Sequence, residues 1–327
     1  MLLNIVYIII GVALVLWGAD RLTEGASSLA RGMNVPEIVI GLTIVAAGTS
    51  APELFVSLVS ALKGTSDLAV GNVIGSNIFN TMLIVGCSAV VAPMAVSKST
   101  VYKDVPFAVF ASLLLFMLCF DDMNSPHLWG NEISRSDGII LLLGFVAFMI
   151  YTFRTAKKDG LMPTPEELDE AEEMPKDYSK LWRNLFFIIL GLACLIVGSE
   201  LFVNAASYVA HRYGVRQSVI GLTIVAGGTS LPELATSVVA AYKGRSAIAI
   251  GNVIGSNVMN ILLVLGLTSV IHPMRIMGIT IVDLMMMLVS VGLLWLFAYT
   301  KLSVSRREGV ILIIGFLAYL GWLLYLL

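Results

Sequence analysis

The sequence predicts an all-α integral membrane protein of ten transmembrane helices, arranged as two inverted-topology repeats of five. Three observations carry this reading. First, 58% of the 327 residues are hydrophobic, only 13% are charged, and the mean hydropathy is +0.91; a soluble protein carries about 25% charged residues. Second, ten apolar stretches are long enough to cross a bilayer as helices, at about 20 residues each. Third, residues 41–80 (GLTIVAAGTSAPELFVSLVSALKGTSDLAVGNVIGSNIFN) recur without a gap as residues 221–260, and 27 of these 40 positions are identical at an offset of 180. An ungapped internal match of that length marks a duplication.

The expected spans are 3–30, 36–62, 68–92, 101–120 and 137–154 in the first repeat. In the second they are 183–210, 216–242, 248–271, 278–299 and 307–326. The N-terminal stretch lacks a basic leader and an A-x-A-like cleavage signal, so it reads as a retained span rather than a signal peptide. Five spans are an odd number, so the second repeat must enter the membrane with opposite orientation, the plan of many secondary transporters. The domain reading is a first repeat over 1–154, a linker over 155–182 and a second repeat over 183–327. The linker is acidic, carries prolines and has no apolar face; it reads as a solvated connection without the ligand spacing of an EF-hand loop. Residues 121–137 read as a polar loop.

Lysine and arginine orient the chain. With the N-terminus outside, 15 of the 20 basic residues fall on the cytoplasmic side, and only Lys63, Arg135, Arg212, Arg216 and Arg275 fall outside. Both termini are therefore expected to be external and the 155–182 linker cytoplasmic, in a cell inner membrane or plasma membrane. The net charge of −2 and the lack of a basic patch give no sign of nucleic acid as a partner. Cys87, Cys119 and Cys194 are widely spaced within apolar runs, which suits buried small residues and no disulfide framework. The three histidines have no metal-ligand spacing.

The chemistry lies in the duplicated stretch. On the helix Ala46–Ser60, Thr49, Glu53 and Ser57 recur at i, i+4 and i+8 and share a face, with Ser50 beside them. Pro52 has no N–H to donate, so a carbonyl near Gly48 loses its helical partner. In lipid that carbonyl needs another, and a cation is one. Thr229, Ser230, Pro232, Glu233 and Ser237 repeat the arrangement. On the next helix Asn72, Ser76 and Asn80 form a second polar face beside Asn77, and Gly71 and Gly75 form a G-x-x-x-G that lets another helix approach. Its copy carries Gly251, Asn252, Gly255, Ser256, Asn257 and Asn260. Four such faces meeting near the midplane would offer two carboxylates, hydroxyls, amides and freed carbonyls. Oxygen-only donors suit hard cations such as calcium, magnesium and sodium, not zinc or copper.

Ser, Thr and Gly in spanning helices ordinarily serve close packing. A mid-span glutamate, set by a proline break and duplicated in register, marks a functional site. Asp20, Glu24 and Glu200, toward the ends of the first and sixth spans, suit a structural or an ion-entry role equally. Asp67, opposite Ala247, is expected in a loop.

GTSAPE (48–53) with GNVIGSNIFN (71–80), and GTSLPE (228–233) with GNVIGSNVMN (251–260), resemble the α-repeats of the calcium/cation antiporter superfamily, and above all prokaryotic sodium/calcium exchangers. The resemblance covers nearly the whole chain. It implies four ion sites at the centre, built from the second, third, seventh and eighth spans. By motif position, Glu53 and Glu233 would be shared calcium ligands, and Thr49 and Thr229 would add backbone carbonyls. Ser50, Ser230, Ala46 and Ala226 would line sodium sites, as would Ser76 and Ser256. Asn80 and Asn260 would complete the central site. Asn260 stands where potassium-dependent members carry Asp, so potassium co-transport is not expected. The resemblance further implies three sodium ions per calcium, no cofactor, no protein partner, and first and sixth spans that slide over an eight-span core.

Three function classes follow. The first is an antiporter, with sodium or alternatively the proton as coupling ion. A cation channel fits less well, because a filter repeats around the membrane normal whereas this duplication is inverted. An intramembrane enzyme lacks a His, Lys pair or metal motif at helical spacing to the Ser and Glu residues.

Overall fold

A computed structural model describes residues 2–32, 35–119, 132–158, 178–214, 226–276 and 279–326. We number its helices as follows. The first half comprises α1 (Leu2–Gly32), α2 (Glu37–Thr49), α3 (Ala51–Leu62), α4 (Ser66–Ile78, π-helical Phe79–Ile84 and Val85–Val91), α5 (Thr100–Leu118) and α6 (Arg135–Lys158). The second comprises α7 (Tyr178–Arg212), α8 (Ala226–Thr229), α9 (Leu231–Tyr242), α10 (Ser246–Met259, π-helical Asn260–Leu265 and Gly266–Ile271), α11 (Ile281–Lys301) and α12 (Arg306–Leu326). Among the described residues eight helices are long and apolar enough to cross a membrane, nine when α2 and α3 count as one bent span. The chain is a helical membrane protein. The expected span at 216–242 is described only from Ala226 onward; residues 159–177 of the expected linker, 121–131 of the expected polar loop and residue 120 of the span before it also lie outside the described residues. The ends of that linker are helical, since α6 runs to Lys158 and α7 starts at Tyr178.

Two helices form the centre. The apolar windows of α10 and α4 are 94% and 72% buried, against 11% for α12 and 22% for α1. This distribution explains the polar residues of α4 and α10: enclosed side chains can bond each other instead of facing lipid. A Cβ on Gly251 would lie 2.8 Å from the Ile38 carbonyl, and one on Gly255 2.6 Å from that of Leu42. The second G-x-x-x-G therefore seats α10 directly on α2. The surface matching Gly71 and Gly75 in the other half falls at 218–222, outside the described residues.

Helices α1 and α7 run antiparallel with their backbones touching. A Cβ on Gly11 would stand 2.8 Å from the Gly198 carbonyl, and one on Gly18 2.7 Å from that of Gly191. Helices α3 and α9 end alike. Gly64 and Gly244 adopt φ of 77° and 72°, and the Thr65 and Arg245 amides reach back to the Ser60 and Ala240 carbonyls at 2.9 and 2.8 Å. This is a glycine-dependent helix stop, placed at the same offset of 180 in both halves.

Two short strand pairs tie the halves together: β1 (Met94–Ala95) with β4 (Ser303–Val304), and β2 (Glu132–Ile133) with β3 (Met274–Arg275), both antiparallel. Asp67 departs from expectation. It sits in the first turn of α4, which begins at Ser66, rather than in a loop; the N-terminal end of a helix favours an acidic residue.

Candidate functional site

The helix carrying each motif breaks where the sequence places a serine before a proline. Ser50 has φ −83° and ψ 6°, Ser230 has φ −90° and ψ 8°, and α2 and α3 meet at a bend of 45°. Pro52 and Pro232 occupy the first turn of the helices that follow, where a missing N–H costs nothing. Glu53 and Glu233 stand in the same first turn, at the positive end of the helix dipole. The break corrects one expectation: Thr49, Glu53 and Ser57 do not share one continuous helix, since Thr49 ends α2 while the other two belong to α3.

Both glutamates are fully buried and are held from the opposite half. Ser50 Oγ donates to Glu233 Oε1 at 2.9 Å, and Ser230 Oγ donates to Glu53 Oε1 at 3.0 Å. Ser256 Oγ lies 3.5 Å from Glu233 Oε1, and Ser76 Oγ lies 3.2 Å from Ser230 Oγ. Thr229 and Thr49 stand close to the Glu53 and Glu233 carboxylates. Ala46 is buried at the end of α2, and its carbonyl accepts the Ser50 amide at 2.9 Å. Ala226 starts α8; its side chain lies outside the described residues.

The π-helical segments bring in the last pair. The segment headed by Asn260 packs on α3, which carries Glu53; the segment containing Asn80 packs on α9, which carries Glu233. Both asparagines are fully buried. Asn80 Nδ2 donates to Asn257 Oδ1 at 3.2 Å, and Asn257 Nδ2 donates in turn to Thr81 Oγ1 at 2.6 Å.

Sequence reasoning left Asn72, Asn252, Asn257 and Thr81 out of the site. The first two hold it in register. Asn72 Nδ2 donates to Ser57 Oγ (3.1 Å) and the Glu53 carbonyl (3.4 Å). Asn252 Nδ2 makes the same two bonds to Ser237 Oγ (2.9 Å) and the Glu233 carbonyl (3.4 Å), and accepts from Thr49 Oγ1 at 3.1 Å. Their position on the Ser76 and Ser256 face was the available signal. Asn257 was named on the same polar face but given no role, and Thr81, inside the π-helical Phe79–Ile84, was not singled out.

Several buried oxygens have no hydrogen-bond partner among the described residues: Oε2 of Glu53 and Glu233, Oδ1 of Asn80, and Oδ1 of Asn260, whose Nδ2 is also unpartnered. Neither glutamate is ion-paired to Lys, Arg or His among the described residues. Two buried carboxylates without protein counter-charge, ringed by serine, threonine and amide oxygens, form a set that a hard cation completes. No group of three or more His, Cys, Asp or Glu that could hold a metal occurs among the described residues; the oxygens around the two glutamates belong to serine, threonine and asparagine.

The fold and the site define a helical membrane protein whose two halves share one central cluster of oxygen donors. Comparison with known proteins narrows the class. The profile of the sodium/calcium exchanger protein family matches residues 3–154 and 183–325, and the chain belongs to that family. It is 37% identical to the putative antiporter CaxA of Alkalimonas amylolytica over 98% of each chain. It is 30% identical to the sodium/calcium exchanger MaX1 of Methanosarcina acetivorans over 99% of each. Among solved structures, the sodium-calcium exchanger NCX_Mj soaked with 10 mM Na+ and zero Ca2+ superposes with a TM-score of 0.80 at 30% identity, covering 98% of both chains.

Proposed function

We propose that this chain exchanges calcium for sodium by alternating access. The observation that carries the reading is the reciprocal pair of bonds from Ser50 to Glu233 and from Ser230 to Glu53. These bonds bring one carboxylate from each half into a single buried cluster, and two carboxylates balance one divalent ion. Glu53 and Glu233 are the shared calcium ligands, with the Thr49 and Thr229 carbonyls. Ser50, Ser230, Ala46, Ala226, Ser76 and Ser256 line the sodium sites, and Asn80 and Asn260 complete the centre. Sodium ions and calcium compete for the same two charges. A carrier with neither load keeps two buried, unpaired carboxylates, and its passage between faces is unfavourable. That penalty couples the two fluxes.

The ten-span, inverted-repeat plan over 1–154 and 183–327 belongs to the same proposal. The antiparallel first helices of the two halves and the helix stops at Gly64 and Gly244 support it. With Asn in place of a further acid at 260, transport needs no potassium, and three sodium ions per calcium make it electrogenic. The test is radiolabelled calcium flux in potassium-free proteoliposomes under an imposed sodium gradient, run beside a pH gradient. Sodium-driven calcium movement is expected. Flux driven by the pH gradient alone would make the protein a calcium/proton antiporter.

A further inference from the structure

The two halves are alike in sequence but not in how they are covered. Helix α1 packs along α9, whereas α7 makes no comparable contact with α3. The matching positions show the difference: Ala235 on α9 is 8% exposed, and Phe55 on α3 is 69% exposed. On α1, Ala19, Leu22, Thr23 and Ala26 are buried; of their counterparts on α7, only Ser199 is buried, and Phe202, Val203 and Ala206 are partly exposed. Because α1 and α7 are antiparallel, their C-terminal halves serve opposite faces of the molecule. Among the described residues, one face is therefore covered by its first helix and the other is not.

An ion pair fastens the closed face. Lys243 Nζ, just after α9, meets Asp20 Oδ1 of α1 at 2.6 Å, with both side chains about two-thirds enclosed. Arg21 holds Asp20 Oδ2 at 3.0 Å. Beside them Glu37 gathers Arg245 at 3.0 Å and the Ser27 hydroxyl. At the offset of 180 that relates the halves, Asp20 corresponds to Glu200 and Lys243 to Lys63. An acid and a lysine thus recur at the matching places of the open face. Both are exposed there, and they make no ion pair with each other.

We propose that Asp20–Lys243 and Glu200–Lys63 are alternate latches, one fastening each face, and that they exchange as α1 and α7 move against the core. The proposal rests on the exchange reading above for its two access states. The latches are unequal. Arg21 bonds to the first, and a second ion-paired group of Glu37 with Arg31 and Arg245 stands beside it, whereas Leu201, Gln217, His211 and Thr65 occupy the places matching Arg21, Glu37, Arg31 and Arg245 in the second. A reinforced network outlasts an isolated pair, so the resting protein favours the state with the Lys243 face closed, which is the cytoplasmic face in the proposed orientation.

The test is cross-linking of the full chain in proteoliposomes, with Cys87, Cys119 and Cys194 replaced by serine and a short bismaleimide as probe; no ion flux is read, so the result stands apart from which ions are exchanged. The variant K63C/E200C is compared with and without Asp20→Asn and Lys243→Gln. Removal of the first latch is expected to raise the 63–200 cross-link yield about threefold or more, the shift that loss of a partly enclosed ion pair gives a two-state equilibrium. The pair A95C/S303C, facing each other across β1 and β4, reports folding in every background. If 95–303 links normally while the 63–200 yield stays unchanged or absent, the latches do not alternate and the proposal fails.

Discussion

Glu53 and Glu233 each have one oxygen anchored by a serine of the other half and one without a partner among the described residues. The anchored oxygen fixes the carboxylate, and the open one is the oxygen a cation would take. Glu53→Gln or Glu233→Gln keeps the shape and removes the charge. Each is expected to lower calcium exchange roughly 100-fold, in line with the several kcal/mol lost when one partner leaves a buried charge cluster, with monodisperse elution showing that the fold survives. Asn252 acts differently, since it joins Thr49, Ser237 and the Glu233 backbone. Asn252→Ala should weaken calcium affinity by about tenfold, the effect of losing one or two buried hydrogen bonds at about 1 kcal/mol each, while maximal transport falls less; binding isotherms and flux read the two separately. The residues of the site were legible because polar atoms enclosed in apolar sequence must have a reason to be there. The serine partners of the two glutamates were not, because those bonds run between positions about 180 residues apart.

Helices α1 and α7 approach closely at glycines. Gly18→Ala puts a methyl group 2.7 Å from a carbonyl oxygen of α7. Overpacking of that kind costs about 1–3 kcal/mol, and a lower unfolding temperature in detergent is the expected readout. Gly32→Ala, whose Cβ meets nothing within 4 Å, is the control that should leave it unchanged. The apolar lengths gave the position of these helices, and proline gave the breaks at Ser50 and Ser230. The π-turns at Phe79–Ile84 and Asn260–Leu265 left no mark in the hydrophobic pattern. Each begins at or just before the asparagine that closes a polar face, so the i, i+4, i+8 spacing read correctly up to that residue. Asp67 was misplaced for a simpler reason: an acidic residue after Gly-Thr-Ser suits a loop and a helix start equally, and the helix begins at Ser66.

For the whole molecule, two near-copies in sequence gave a symmetric reading, and the structure holds them in an asymmetric state. No sequence comparison of the halves could show which face is closed, since that depends on where α1 and α7 lie against the core. Orientation in the membrane can be tested directly. A cysteine at Ser179, with the native cysteines removed, should resist a membrane-impermeant thiol reagent in intact cells and react after permeabilisation; ready labelling from outside would reverse the orientation. The proposed exchange also moves net charge, so an inside-negative potential should favour calcium extrusion by about 2.3 kcal/mol per charge per 100 mV. At the centre of all this is one claim, that sodium and calcium share the Glu53 and Glu233 carboxylates. The most direct measurement is binding of radiolabelled calcium to the purified protein during titration with sodium at fixed pH. Sodium should displace calcium completely and with a slope steeper than one-for-one competition, and Glu53→Gln should retain little calcium to displace. Calcium binding that sodium leaves unchanged, or that survives in Glu53→Gln, would contradict it.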